Sequence, residues 1–122
     1  MPDMALLIYN QASVGAGQRA TIPFQPGADE VFVVTGFQVL PENNLLIIAV
    51  RDSSGNQYIS DQSGQGVPVD FFGGTRFTAG VFNRFDPPIE VGPLGILYFD
   101  VQNTAASTAL VRILLLGIRR KA

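Results

Sequence analysis

The sequence predicts an all-β domain: an antiparallel β-sandwich with the strand supply of a jelly roll of about eight strands. Three observations carry that expectation. Thirteen glycines and eight prolines fall between short apolar runs, which divides the chain into many brief elements. The clearest run alternates with a period of two, Leu97, Phe99 and Val101 against Tyr98, Asp100 and Gln102. No stretch sustains the 3.6-residue period of a helix. With 47% hydrophobic and 15% charged residues over 122 positions, residues 1–122 have the composition of one globular domain, not of a disordered segment.

Leu6-Leu7-Ile8-Tyr9 opens the first strand, and Val14-Gly15-Ala16-Gly17 turns it into a second extended piece, Arg19–Phe24. Pro23 there marks an edge or a strand end. Gly15 and Gly17 lack the Lys-Ser/Thr and the following helix of a phosphate cradle, so they read as a turn. Gln25–Glu30 is a second turn, with Pro26-Gly27 suited to the centre of type II. Val31–Leu40 is a strong strand rich in Val and Phe, ended by Pro41-Glu42-Asn43-Asn44. Leu45–Arg51 follows, closes through Asp52-Ser53-Ser54-Gly55-Asn56 and returns as Gln57–Ser60, a hairpin with turn chemistry in place. Asp52, Ser54, Asn56 and Asp61 imitate a calcium loop. The bidentate Glu downstream is missing and strands flank the segment, so a plain turn is expected and no metal site.

Gln62–Gly80 is the least regular stretch, with one short strand expected around Val67–Phe72. Phe71, Phe72 and Phe77 either plug one end of the core or, with Arg76, form part of a docking surface, where aromatics and Arg concentrate. Val81–Phe85 leads into the rigid Asp86-Pro87-Pro88 and then Ile89-Glu90-Val91, and Gly92-Pro93-Leu94-Gly95 turns the chain into its last two strands. These are Ile96–Asn103 and Leu110–Ile118, joined by Thr104–Thr108. The final strand departs from simple alternation. Val111, Ile113 and Leu115 share one face, while Leu110, Leu114, Leu116 and Ile118 share the other with Arg112 alone. Two apolar faces imply cover on both sides, and in a chain this short the second cover can come from another subunit. Left at a sheet edge, such a strand would template aggregation.

Charge divides the chain unevenly. All ten acids lie within residues 1–100, beside four arginines, whereas residues 101–122 hold Arg112, Arg119, Arg120 and Lys121 and no acid. Arg119-Arg120-Lys121 reads as a solvated basic tail or as a contact with an acidic neighbour. Nucleic acid is not an expected partner, because the body is acidic and three terminal charges neutralise few phosphates. No run approaches the roughly 20 apolar residues of a membrane helix. Met1-Pro2-Asp3-Met4 carries an acid where a signal peptide is basic, so a soluble chain without an export signal is expected.

With no His and no Cys, the usual general base, thiol nucleophiles and most transition-metal ligands are missing. The one Lys, Lys121, is a poor place for a preorganised Ser-Lys pair. Carboxylate-only chemistry remains, with Asp86, Glu90 and Asp100 as the nearest candidates in sequence. Surface acids on the wetter side of their strands are the preferred reading, and neither enzymatic activity nor a cofactor is expected.

Phe85-x-Pro-Pro-Ile-x-Val-Gly-Pro-Leu-Gly, Ile96-Leu-Tyr-Phe-x-Val-x-Asn103 and Leu110–Leu116-Gly-Ile-Arg119 together form a closing pattern. It resembles the C-terminal half of small jelly-roll proteins in the virions of tailed bacteriophages, over about residues 85–120. The resemblance implies a non-enzymatic, capsid-associated subunit (a decoration, minor capsid or head- or tail-accessory protein) located in the virion. It implies a homo-oligomer, a trimer first and a five- or six-fold ring second, and contact with other virion proteins such as the major capsid protein. Expected contact residues are Arg112, Leu114, Leu116 and Ile118 on the final strand, Phe72, Arg76 and Phe77 in the long loop, and Arg119 and Arg120 in the basic tail. The alternative is a carbohydrate- or receptor-binding module, against which stand the absence of Trp and the presence of only three Tyr.

Overall fold

The computed structural model describes residues 3–41, 43–59, 61–69 and 83–122. Among them the chain forms eight strands and no helix: β1 (Met4–Val14), β2 (Arg19–Phe24), β3 (Glu30–Leu40), β4 (Leu45–Asp52), β5 (Val67–Pro68), β6 (Asn83–Val91), β7 (Leu97–Asn103) and β8 (Ala109–Lys121). They make two antiparallel sheets, ordered β1-β8-β3-β6 and β2-β7-β4-β5. Each strand of the first half pairs with its mirror in the second, β1 with β8, β2 with β7, β3 with β6 and β4 with β5. The chain is therefore one long hairpin wrapped over itself. The pairings β3–β8 and β4–β7 divide it into two sheets, the jelly-roll arrangement.

Alternation decides what lies between the sheets. Leu97, Phe99 and Val101 of β7 and Val111, Ile113 and Leu115 of β8 are fully buried, as their period of two requires. Phe37 of the first sheet meets Phe99 of the second edge-on at 5.3 Å, which bridges the two layers, and Phe24 packs against Phe99 at 5.7 Å within the second sheet. Each such side chain contributes about 1.5–3 kcal/mol by leaving water.

Several elements differ from the sequence reading. The terminal strand needs no second subunit to cover its edges: β8 lies between β1 and β3, and β1 and β6 are outermost in that sheet among the described residues. Nor is Arg119-Arg120-Lys121 a tail, since β8 continues through Lys121, which pairs with Glu30. Backbone hydrogen bonding to β3 outweighs the charge run. β1 likewise extends through Val14, beyond its apolar opening. The turn before β3 centres on Ala28 and Asp29, not Pro26-Gly27, with the Glu30 N–H donating to the Gly27 carbonyl at 3.3 Å.

The chain turns back after Asp52 as expected, with Gln57 bridging Arg51 and the Tyr58 N–H donating to the Val50 carbonyl at 2.8 Å, but Gln57–Ile59 do not extend into a strand, and Ser60 lies outside the described residues. The strand that pairs with β4 on that side is the two-residue β5. Asp52 organises this turn instead of a cation. Its carboxylate accepts the N–H groups of Ser54 at 2.9 Å and Asn56 at 3.0 Å, together with the Asn56 amide and the Tyr58 hydroxyl. Phe85 through Val91, with Pro87 and Pro88, form one strand, not two pieces. The prolines are tolerated because, among the described residues, β6 pairs with β3 alone and the ladder bulges there: Val34 opposes Ile89 but Gly36 opposes Arg84.

The Asp52–Tyr58 bond makes the turn sensitive to alkali. Partial burial, reinforced by the hydrogen bond and charge of Asp52, pushes the Tyr58 hydroxyl up to about 12. A phenol whose folded pKa exceeds its unfolded value of about 10 favours folding fully below that value, and this contribution is lost as pH rises through 12. Urea midpoints measured from pH 9 to 12 are expected to fall more steeply for the wild type than for Tyr58→Phe. Parallel curves would show that the hydroxyl contributes nothing.

Candidate functional site

The strands of the first sheet turn every second residue away from the core, and on β8 these are Leu110, Arg112, Leu114, Leu116, Ile118 and Arg120. Register places the neighbours in rows across the outer face. Ala5, Ile118, Val33 and Glu90 form one row; Leu7, Leu116, Gly36 and Arg84 the next; then Tyr9, Leu114 and Gln38; then Gln11, Arg112 and Leu40. Leu7 is 68% exposed, Tyr9 52%, Leu110 45% and Leu40 37%. Leu114, Leu116 and Ile118 are half-buried between them. The result is a continuous apolar band whose exposed area is on the order of 500 Å², within the range that marks contact surfaces on soluble proteins.

A shallow cleft of about 220 Å³ opens in this band, lined by Tyr9, Gln38, Leu40, Arg112 and Leu114. The Gln38 amide nitrogen is buried at its base without a hydrogen-bond partner. Tyr9 donates to the Gln11 side-chain oxygen at 2.5 Å, which holds its ring over the band. Charge runs along β6, where exposed Arg84 and Asp86 share the outward side of Glu90, and recurs on β8 at Arg112 and Arg120. Arg112 has no ionic partner among the described residues. Towards the other end of the sheet, Glu90 and Arg120 stand 4.0 Å apart.

The outer face of the second sheet has opposite chemistry. The Arg51 guanidinium donates to Asp100 from Nε at 2.7 Å and from a terminal nitrogen at 3.2 Å, and lies 4.5 Å from the centre of the Tyr98 ring. Thr21 adds a bond to Asp100 at 2.5 Å, and Arg19 reaches Gln102 at 3.3 Å. Burial of the Asp100 carboxyl opposes its ionisation, but the Arg51 and Thr21 donors outweigh that and hold its pKa below the usual carboxylate range. These groups saturate one another, so this face is satisfied as it stands.

Of the expected contact residues, the fold gathers Arg112, Leu114, Leu116, Ile118 and Arg120 on one face. Arg119 is separated from them: it lies opposite Phe32, on the parity of the core, 4.0 Å from Glu30 and with its Nε buried and unpaired. Phe72, Arg76 and Phe77 lie outside the described residues. Leu7, Tyr9 and Leu40 belong to the same face and were not among the expected residues. The unbroken run Leu6-Leu7-Ile8-Tyr9 was the available signal, since four apolar residues in a strand must place two on each side.

The carboxylates named for acid–base work are not brought together. Asp100 is on the second sheet, whereas Asp86 and Glu90 are on β6 of the first. Among the described residues, no group of three His, Cys, Asp or Glu side chains could hold a metal ion. Gly17, offered by its sequence as part of a phosphate cradle, gives its N–H to the Asn103 carbonyl at 2.8 Å. Among the described residues no helix is long and apolar enough to cross a membrane.

No protein-family model matches the chain, and no curated protein matches it. The site is therefore defined by its own geometry: an apolar band across β1, β8 and β3, bordered by the charged and proline residues of β6.

Proposed function

We propose that this chain is a non-enzymatic structural subunit of a virus particle, capsid-associated as a decoration or minor capsid protein, and that it acts through protein–protein contacts. The observation that carries the contact role is the apolar outer face of the first sheet, beside a second sheet whose outer face is polar and internally paired. The virion assignment is supported by the resemblance of residues 85–120 to phage jelly-roll proteins, and by a topology common among capsid domains. Copies of the chain associate, with a trimer or a five- or six-fold ring as the orders the resemblance implies, and the assembly meets other virion proteins such as the major capsid protein. No cofactor, membrane or nucleic acid enters this role.

The alternative, a carbohydrate- or receptor-binding module, has less support in the aromatic side chains. Tyr58 is tied to Asp52 and Tyr98 lies against Arg51, which leaves Tyr9 as the tyrosine that is more than half exposed. Mass by light scattering tests the first reading: wild-type protein is expected above 13.1 kDa, and Leu114→Glu shifted toward monomer or aggregate. An unchanged mass would remove the face from the contact. Reproducible binding of the isolated protein on a glycan array would favour the alternative.

A further inference from the structure

We propose that the cleft between Tyr9, Gln38, Leu40, Arg112 and Leu114 anchors a partner protein, taking one apolar side chain of it together with a carboxylate that pairs with Arg112. This anchor rests on the reading of the chain as a contact-forming subunit and adds the chemistry of its partner.

Size and lining select what enters. The cleft holds about 220 Å³, short of the roughly 300–1,000 Å³ of small-molecule sites and suited to a single side chain. Its walls are the Tyr9 ring, Leu40 and Leu114, so the group that fills it and displaces water is apolar.

Hydrogen-bonding capacity selects the rest. Arg112 lies between Gln11 and Leu40, with Tyr9, Leu114 and Gln38 in the next row on one side and Ser13 and Leu110 on the other. None of these is an acid, and Arg112 forms no ion pair among the described residues. It is a cation set in apolar surroundings at the rim of the cleft. Gln38 is its diagonal neighbour across the β3–β8 ladder, a separation that long side chains span. The Gln38 amide nitrogen has no acceptor, and its last side-chain torsion is a soft one that turns the amide toward the cleft. Tyr9 already gives its proton to Gln11. The groups left unsatisfied around the cleft are therefore donors, and one of them is charged. A carboxylate supplies acceptors and the opposite charge at once, whereas a neutral partner leaves the charge unmet.

Isocaproate, which joins the branched end of a leucine side chain to a carboxylate in about eight non-hydrogen atoms, is the probe, and ligands of that size reach millimolar affinity. In NMR titrations of the full chain it is expected to shift the backbone N–H signals of Tyr9, Gln38, Leu40, Arg112 and Leu114, with saturation in the millimolar range. Isocaproamide, of the same shape but uncharged, is expected to bind about fivefold or more weakly, the scale of one charge-assisted contact near a surface. Arg112→Gln, with unchanged circular dichroism, is expected to bring the acid down to the affinity of the amide. Equal binding of acid and amide, a variant that holds the acid like wild type, or shifts that never saturate would overturn the anchor. If Leu114→Glu still changes the mass of the protein in that case, the contact reading stands and only the chemistry of the partner falls. Saturable, Arg112-dependent binding to a chain that is monomeric at every concentration would support the anchor and assign its occupant to a different protein.

Discussion

Asn103→Ala is expected to lower the stability of the domain by about 4 kcal/mol, the largest effect of any single polar truncation in this fold. Asn103 is completely buried, the one polar side chain among the buried residues described. Its amide nitrogen donates to the carbonyls of Val14 at 2.9 Å, Gly15 at 3.3 Å and Ser107 at 2.8 Å, and its oxygen accepts the Ala105 N–H at 2.9 Å. One side chain thus ties the end of β1 to the β7–β8 turn, while the backbone of Asn103 bonds Gly17 and Gln18 across the first turn. Truncation leaves three carbonyls and an N–H without their partner, and each unsatisfied buried group costs about 1–3 kcal/mol. Part of that is recovered by water entering the space. The isosteric Asn103→Asp separates shape from hydrogen bonding. A carboxylate facing three carbonyl oxygens has a folded pKa above its unfolded value of about 3.9, so this variant loses stability as pH rises and is weaker at pH 7 than at pH 4. Denaturant midpoints check both, and an Asn103→Ala loss below about 1 kcal/mol would show that the network is dispensable.

Gly117→Ala is expected to cost about 3 kcal/mol through a clash of backbone, with no change of hydrophobicity or charge. A methyl group on Gly117 would stand 2.0 Å from the Val33 carbonyl oxygen and 3.1 Å from the Thr35 nitrogen. The reason is the bulge in β3. Val34 opposes Gly117 and Gly36 opposes Leu116, so Thr35 is an extra residue that leans the β3 backbone over β8. Thr35 secures the approach by donating its hydroxyl to the Leu116 carbonyl at 3.2 Å. Neither backbone can retreat, because β8 is held by β1 on its other side. Thermal melts compare the variant with Leu114→Ala, three residues away on the same strand, which removes more atoms but touches no backbone and is expected to cost less. A Gly117→Ala variant as stable as wild type would mean that the two central strands slide freely at the bulge.

Much of this was legible in the residues because burial follows simple alternation. The inward sets of β7 and β8 and the bounds of β2 were readable directly. The face of β8 that carries Leu114, Leu116 and Ile118 was recognisable as apolar for the same reason. What misled was local charge and local turn chemistry. Arg119-Arg120-Lys121 looks like a frayed end, yet pairing with Glu30–Phe32 extends the strand. Asp52–Asn56 does turn the chain back, but the pairing stops after the Arg51–Gln57 bridge and the partner strand of β4 is β5. Asn103 gave no warning at all. Its three acceptors lie on segments 88 or 89 residues earlier and 4 residues later.

By itself the order of residues determined that this protein is built of strands, which side of most strands faces inward, and that it holds no imidazole and no thiol. These follow from period, turn residues and composition, all properties of neighbours in the chain. Only the tertiary structure decided that β8 lies inside its sheet, that Leu7, Tyr9 and Leu40 join its outer residues in one band, and that Arg84 and Glu90 of β6 border it. The reason is that strand order and register are set by hydrogen bonds between segments as much as 115 residues apart, from Met4 to Arg119, and no local pattern encodes which segments those are.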